Sequence, residues 1–202
     1  GLLKHFKNKR PILFNKVKNS DMKSIGGLYG NREIFLKLLD CNEENRNFKF
    51  MDALVNPKPY KVLDTGPVKE NIIKRNIDII KILPANKFNE LDSSTYITAG
   101  VLVVRDPERN KIFTSIRRMQ VNKGNSISIL IGSNKLTNDF LELESKGKSM
   151  EAAVVLGYDA PFILASQYPS ATYGVDKYEI DSALRGHPLE VVKCETNNIL
   201  VP

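Results

Sequence analysis

Apolar positions change their period near the middle of the chain. In the first part, Arg10 to Val17 (RPILFNKV) has the β-rich character of a strand. Asn31 to Leu39 reads as a helix entered from a Gly-Gly-Leu-Tyr-Gly turn, and Ile77 to Leu83 is an apolar run stopped by Pro84. These elements predict a mixed α/β domain over residues 1–90, with the boundary in the polar, turn-rich stretch Asn86 to Thr95. From Tyr96 the pattern becomes strand-like. Three β-rich runs, YITAGVLVVRD, KIFTSIRRMQV and SISILIG, are separated by turn signals at Asp106-Pro107 and Lys123-Gly124-Asn125, which predicts an antiparallel meander.

Helices enter this second part late. Lys135 to Lys146 places Leu136, Phe140 and Leu143 on one face, with Gly147 as its stop. Ala152 to Leu156 reads as a strand. Asp176 opens a further helix, with Glu179 three residues on as a capping box, Val175 and Ile180 as a hydrophobic staple, and Gly186 at its end. Leu189 to Cys194 then returns as a strand. This succession predicts an α+β fold, as a β-barrel or an α+β sheet, and argues against a doubly wound parallel sheet.

Length and charge narrow the picture. A chain of 202 residues with 42% hydrophobic content supports one good core or two small ones. No apolar run reaches membrane-spanning length and the basic N-terminus leads into no signal-like stretch, so the sequence predicts no membrane partner and a cytoplasmic location. Cys41 and Cys194 are far apart and form no CxxC, so they read as reduced thiols, with Cys194 buried in a strand. The formal charge of +7 is confined to residues 1–90, with 18 Lys and Arg against 10 Asp and Glu; residues 91–202 carry 12 against 13. A lysine-rich surface accounts for the excess, and no nucleic-acid motif accompanies it.

Tyr96-Ile97-Thr98-Ala99-Gly100, Arg105-Asp106-Pro107, Arg118-Met119-Gln120, Gly174-Val175-Asp176, Ala183-Leu184-Arg185-Gly186 and Val192-Lys193-Cys194-Glu195-Thr196 are each weak signals. In this order and spacing, together with Pro11-Ile12-Leu13-Phe14 and Leu83-Pro84, they resemble the UbiD family of decarboxylases over nearly all of the chain. The resemblance implies an N-terminal α/β domain, 1–90, and a central split β-barrel of the flavin-reductase type with inserted helices, 91–202. It further implies that the barrel is incomplete and that a C-terminal domain bearing two acid glutamates is absent, so that the chain alone should not turn over. The implied cofactor is prenylated FMN, the implied substrates are aromatic or α,β-unsaturated carboxylic acids, and the implied full-length assembly is a homo-oligomer.

The resemblance also assigns residues. Arg118 matches an active-site arginine, and a planar guanidinium can hold a carboxylate bidentately; the alternative is a surface ion pair beside Arg117. Thr98, Ser115 and Ile116 match positions that contact or line the flavin, although all three are also ordinary strand residues. Glu195 matches a variable position and reads as structural. The chain departs from the family where an Asn, a His and a Glu bind the metal that holds the flavin phosphate. Phe113, Lys135 (or its neighbour Leu136) and Lys177 stand there, and neither His5 nor His187 replaces them. Neither a phenyl ring nor an ammonium can ligate a hard divalent cation, so no metal is expected. Either Lys135 and Lys177 converge and replace the metal's charge, or both are ordinary solvated lysines on a site that has lost its ligand.

Overall fold

A computed structural model describes residues 5, 7, 10–18, 20–105, 110, 112–132, 134–168 and 176–202. The turn expected at Asp106-Pro107 and the staple residue Val175 lie outside them. Near the N-terminus, β1 (Ile12–Phe14) pairs antiparallel with β2 (Ser24–Gly26), a shorter strand than the pattern predicts. Helix α1 (Arg32–Leu38) starts where its polar cap allows: the Asn31 side chain accepts from the Ile34 N–H at 3.2 Å. Helix α2 (Arg46–Val55) follows, then β3 (Lys61–Leu63) and the short helix α3 (Ile79–Ile82) before Pro84.

The second part holds β4 (Tyr96–Ile97), β5 (Val101–Arg105), β6 (Ile112–Ile116), β7 (Met119–Val121) and β8 (Ile127–Ile129). After them come α4 (Asn134–Ser145), β9 (Ala152–Val155), α5 (Ala160–Ser166), α6 (Lys177–Arg185), β10 (Glu190–Lys193) and β11 (Leu200–Val201). Mixed α/β architecture is therefore observed. The meander is real but divided: β6-β5-β9 form one antiparallel sheet and β4-β7-β8 another. Among the described residues the strands make two- and three-stranded sheets, and no closed barrel forms.

The division has a local cause. Two of the expected long strands break at the same level, the first between Ile97 and Val101 and the second at Arg117-Arg118, so each leaves one sheet and enters the other. β5 lies where the sheets meet and is buried on both faces. Val101 and Val103 pack with Ile112, Phe162, Tyr178 and Val191, whereas Leu102 and Val104 pack with Ile97, Met119, Val121 and Leu136. A third cluster joins Ala53 of α2 to Ala165 of α5 and to Ile180 and Leu184 of α6. Far from these contacts in sequence, β3 pairs in parallel with β10, Lys61 opposite Glu190.

Gly100 is required at the crossing because a Cβ there would stand 2.9 Å from Val154 Cγ1, 3.1 Å from Ile97 Cγ2 and 3.3 Å from Met119 Cε. Overpacking of this kind costs about 1–3 kcal/mol. Gly100→Ala is accordingly expected to lower the thermal midpoint by several degrees, to be checked by calorimetry; an unchanged midpoint would show that Val154 and Met119 repack freely.

Cys194 sits one residue beyond β10, half-buried, because its N–H has turned to the Ile199 carbonyl at 2.9 Å and closes the turn into β11. Both cysteines are free thiols. Glu195 is held by Lys69 at 3.0 Å and Lys74 at 2.7 Å, an exposed structural contact. No helix among the described residues is long and apolar enough to cross a membrane.

Candidate functional site

The crossing of the two sheets gathers most of the residues singled out in the sequence. Ser115 lies opposite Leu102 and Ile116 opposite Val101 in the β5–β6 ladder, while Ile97 lies opposite Met119 in the β4–β7 ladder. Arg117 and Arg118 occupy the link between β6 and β7, and Thr98 follows β4 at the adjoining end of its ladder. The Arg117 N–H still donates to the Gly100 carbonyl at 3.4 Å, which ties the two crossing points together.

Alternation along the strand sends the two arginines different ways. Arg118 is exposed, as are Thr98 and Ile116, and no hydrogen bond or ion pair engages its guanidinium among the described residues. Arg117 is half-buried, and its Nε donates to Ser115 Oγ at 3.0 Å. The guanidinium passes beside Gly132, where a Cβ would stand 3.7 Å from Nη1.

Helix α6 brings a second cation to the back of β6. Asp176 caps the helix by accepting from the Tyr178 N–H at 2.9 Å, and its other oxygen accepts from the Ile112 N–H at 3.0 Å. The cap therefore fixes the helix start against the strand as well as satisfying a free donor. Gly186 ends the helix at φ +83°. Lys177, the first helical residue, is only 4% exposed. Its ammonium donates to the Thr114 carbonyl at 2.6 Å and the Ser166 carbonyl at 2.8 Å and lies 5.1 Å from the centre of the Phe113 ring. Thr114 Oγ1 donates to the same Ser166 carbonyl at 3.0 Å. Burial, and then the nearby Arg117 guanidinium, push the ammonium's pKa down to about 8.

Lys135 is placed differently. Its ammonium is paired with Asp139 one turn along α4, at 3.1 Å. Both lysines adjoin Phe113, Lys177 across the ring and Lys135 in a cavity of about 10 Å³ that Phe113, Leu136 and Met150 also line. Their surroundings differ: Lys135 pairs with the Asp139 carboxylate, whereas Lys177 bonds the Thr114 and Ser166 carbonyls. Solvation does not describe Lys177, which is buried. In the sequence Arg117 is legible only as a neighbour of Arg118, and strand alternation has to be applied to see that the two face apart.

These groups do not suit a hard cation. Phe113 offers a phenyl ring, Lys177 an ammonium whose hydrogens are directed at carbonyls, and Lys135 an ammonium facing Asp139. Each repels or fails to ligate a divalent ion. Among the described residues no cluster of three His, Cys, Asp or Glu is arranged for metal binding. A wider cleft of about 490 Å³ lies elsewhere, between Tyr29, Tyr158, Asp159, Arg185 and His187, and shares no residue with the arginine crossing.

Comparison with known proteins gives this geometry its setting. Residues 61–202 match the family model described as the UbiD 3-octaprenyl-4-hydroxybenzoate carboxy-lyase Rift-related domain. An evolved dimeric form of the UbiD-class enzyme HmfF from Pelotomaculum thermopropionicum, solved in complex with prFMN, superposes with a TM-score of 0.92 at 37% identity, covering 100% of this chain and 47% of that one. An anhydromevalonate phosphate decarboxylase from Methanosarcina mazei is 31% identical over 196 residues, 97% of this chain and 44% of its own. A phenolic acid decarboxylase from Sedimentibacter hydroxybenzoicus is 26% identical over 210 residues, again 97% and 44%. The chain spans less than half the length of these relatives. The family match over residues 61–202, on the fold that brings Arg118 and Thr98 to one crossing, shows that this chain belongs to the UbiD family of decarboxylases.

Proposed function

We propose that the chain forms the cofactor-facing part of a carboxy-lyase that removes or adds the carboxyl group of aromatic or α,β-unsaturated acids with prenylated FMN. The observation that carries this reading is the Arg118 guanidinium, exposed at the sheet crossing with no partner among the described residues. Its fork of donors suits a substrate carboxylate, which it would hold bidentately and orient with the C–C bond to be broken directed at the cofactor. Thr98 and Ile116, exposed on the same crossing, are the surface against which the flavin is read to lie, with Ser115 beneath it; when bound, the cofactor supplies the sink for the electrons that the departing carbon dioxide leaves behind. The two small sheets are read as the halves of a split barrel, the domains as 1–90 and 91–202, and the working enzyme as a cytoplasmic homo-oligomer.

A second reading is favoured by Phe113, Lys135 and Lys177: a non-catalytic member of the family whose site binds a flavin-like anion or stays empty. One preparation separates the two. The chain is purified from cells that also make a flavin prenyltransferase, and its absorbance and native mass are recorded. A flavin chromophore of matching mass supports the first reading, and bare polypeptide supports the second. With flavin bound, titration with an aromatic acid such as benzoate is expected to perturb the flavin band. Arg118→Gln is expected to weaken that titration roughly 10–100-fold, the loss of one charge-assisted bidentate contact. Unchanged affinity would remove Arg118 from the site.

A further inference from the structure

One short stretch at the sheet crossing belongs to neither sheet. β4 ends at Ile97 and β5 begins at Val101, so residues 98–100 have left one ladder and have not entered the other. This link carries Thr98, on the face where the flavin is read to lie. Among the described residues two hydrogen bonds hold it: the Arg117 N–H to the Gly100 carbonyl, long at 3.4 Å, and the Tyr158 hydroxyl to the Ala99 carbonyl at 2.8 Å. The second is the better made. Tyr158 is itself fixed on three sides. β9 brings it to the crossing, because Val155 stands opposite Val101 and Gly157, at φ +74°, turns the chain just before it. Its ring lies 5.8 Å from that of Phe162 in α5, and its own carbonyl accepts from the Tyr29 hydroxyl. Tyr29 stands in the turn before α1 and meets Phe35 of that helix edge-on, with ring centres 5.6 Å apart.

Resting on the functional reading above, we infer that Tyr158 is a positioning residue for the flavin face: its hydroxyl pins the Ala99 carbonyl and so sets where Thr98 stands. Tyr29 completes the device from the N-terminal part of the chain, and the relay runs from α1 through two tyrosines to the crossing. The pin falls where it is needed. Gly100, which must stay small here, also has the least restricted backbone, so a bond on the carbonyl just before it restrains the joint that could otherwise turn. Burial pushes both hydroxyls up, Tyr29 to about 12, so both remain protonated donors throughout the neutral range. Both rings also line the cleft of about 490 Å³, so water can replace either hydroxyl and its loss costs the fold little. Contacts to a bound ring system depend on placement to within about 1 Å, so fold and site should respond differently.

The test titrates FMN into the 202-residue chain by flavin fluorescence and records the thermal midpoint of each flavin-free variant. Tyr158→Phe keeps the ring and removes the hydroxyl; it is expected to weaken FMN roughly fivefold while leaving the midpoint within about 2 °C. Tyr178→Phe is the structural comparison, because it removes a similar bond from the core, to the Leu200 carbonyl at 2.7 Å. It should lower the midpoint by several degrees and leave FMN affinity in place. In the Thr98→Ala background Tyr158→Phe should add nothing, since it acts through Thr98. Tyr29→Phe is expected to weaken FMN roughly two- to threefold and to add nothing to Tyr158→Phe. Unchanged FMN affinity in Tyr158→Phe, or an undiminished loss in the Thr98→Ala background, overturns the positioning role and leaves the flavin reading standing. Should Tyr158→Phe fail to fold, unchanged affinity in Tyr29→Phe overturns it instead. If the unaltered chain binds no FMN, the flavin reading falls, and the positioning role with it.

Discussion

Arg185→Met is expected to destabilise the fold by about 3–5 kcal/mol, the usual cost of stripping one partner from a buried ion pair. Arg185 closes α6 from within: it bonds both oxygens of Asp181, which is fully buried, and reaches Asp159, the cap of α5, at 2.8 Å. Met keeps most of the packing and removes the charge, so the loss falls on an uncompensated carboxylate. For a chain of this size it corresponds to a drop of roughly 10 °C in the thermal midpoint. Burial already pushes Asp181 up to about 6 against the pull of the guanidinium, and removing that pull raises it further. A raised carboxyl binds more protons folded than unfolded, so its contribution worsens as pH rises. The deficit should therefore be larger at pH 8 than at pH 5 in urea unfolding. The double variant Arg185→Met with Asp181→Leu should recover much of it, and equal losses for single and double variants would contradict the ion-pair account.

The second large effect is a gain of stability with alkali. Lys177 falls from its usual 10.5 to about 8 in the folded chain. Between these values the unfolded chain binds more protons than the folded one, so unfolding free energy rises with pH, by about 3 kcal/mol over the whole window and about 2 kcal/mol between pH 8 and 9.5. Below pH 8 the buried ammonium's cost is present in full; above 10.5 it has gone. Tyr29, Tyr60, Tyr158 and Tyr178 are all raised, chiefly by burial, and begin to oppose the trend near pH 10, so the measurement stops short of it. Urea unfolding of the chain and of Lys177→Met at each pH isolates the slope as their difference. A difference that stays flat from pH 8 to 9.5 would mean that Lys177 titrates normally.

Local rules made much of this legible in advance. Asn31, Asp176, Gly147 and Gly186 mark helix ends because caps and stops act within a few residues. The α5 helix was missed although Asp159-Ala160-Pro161 announces it, with Asp159 accepting from the Phe162 N–H at 3.1 Å. α2 gave less to read: its cap, Asn45, makes no side-chain bond to it, and Phe48, Met51 and Val55 are exposed on a helix whose Ala53 is buried. At the site, Arg118 and Thr98 were singled out from the motifs that flank them, and both lie just outside strands, in the β6–β7 link and after β4. The burial of Lys177 could not be read that way, because a lysine at a helix start ordinarily faces water and only the docking of α6 on β6 puts it inside. Sheet exchange at Gly100 and Arg117 was also hidden, since the strand pattern runs through both points unbroken.

The parallel pairing of β3 with β10 sets a timetable for synthesis. β3 leaves the ribosome about 130 residues before the strand that will lie beside it. At ordinary elongation rates that interval is roughly 10 s, during which the Lys61–Leu63 edge has no native neighbour. Val62, which remains 56% exposed even after folding, makes that waiting edge apolar. Nascent chains crowded on one message would meet through this segment first, so translation speed and chaperone supply should govern the yield of folded protein more than the stability of the finished molecule does.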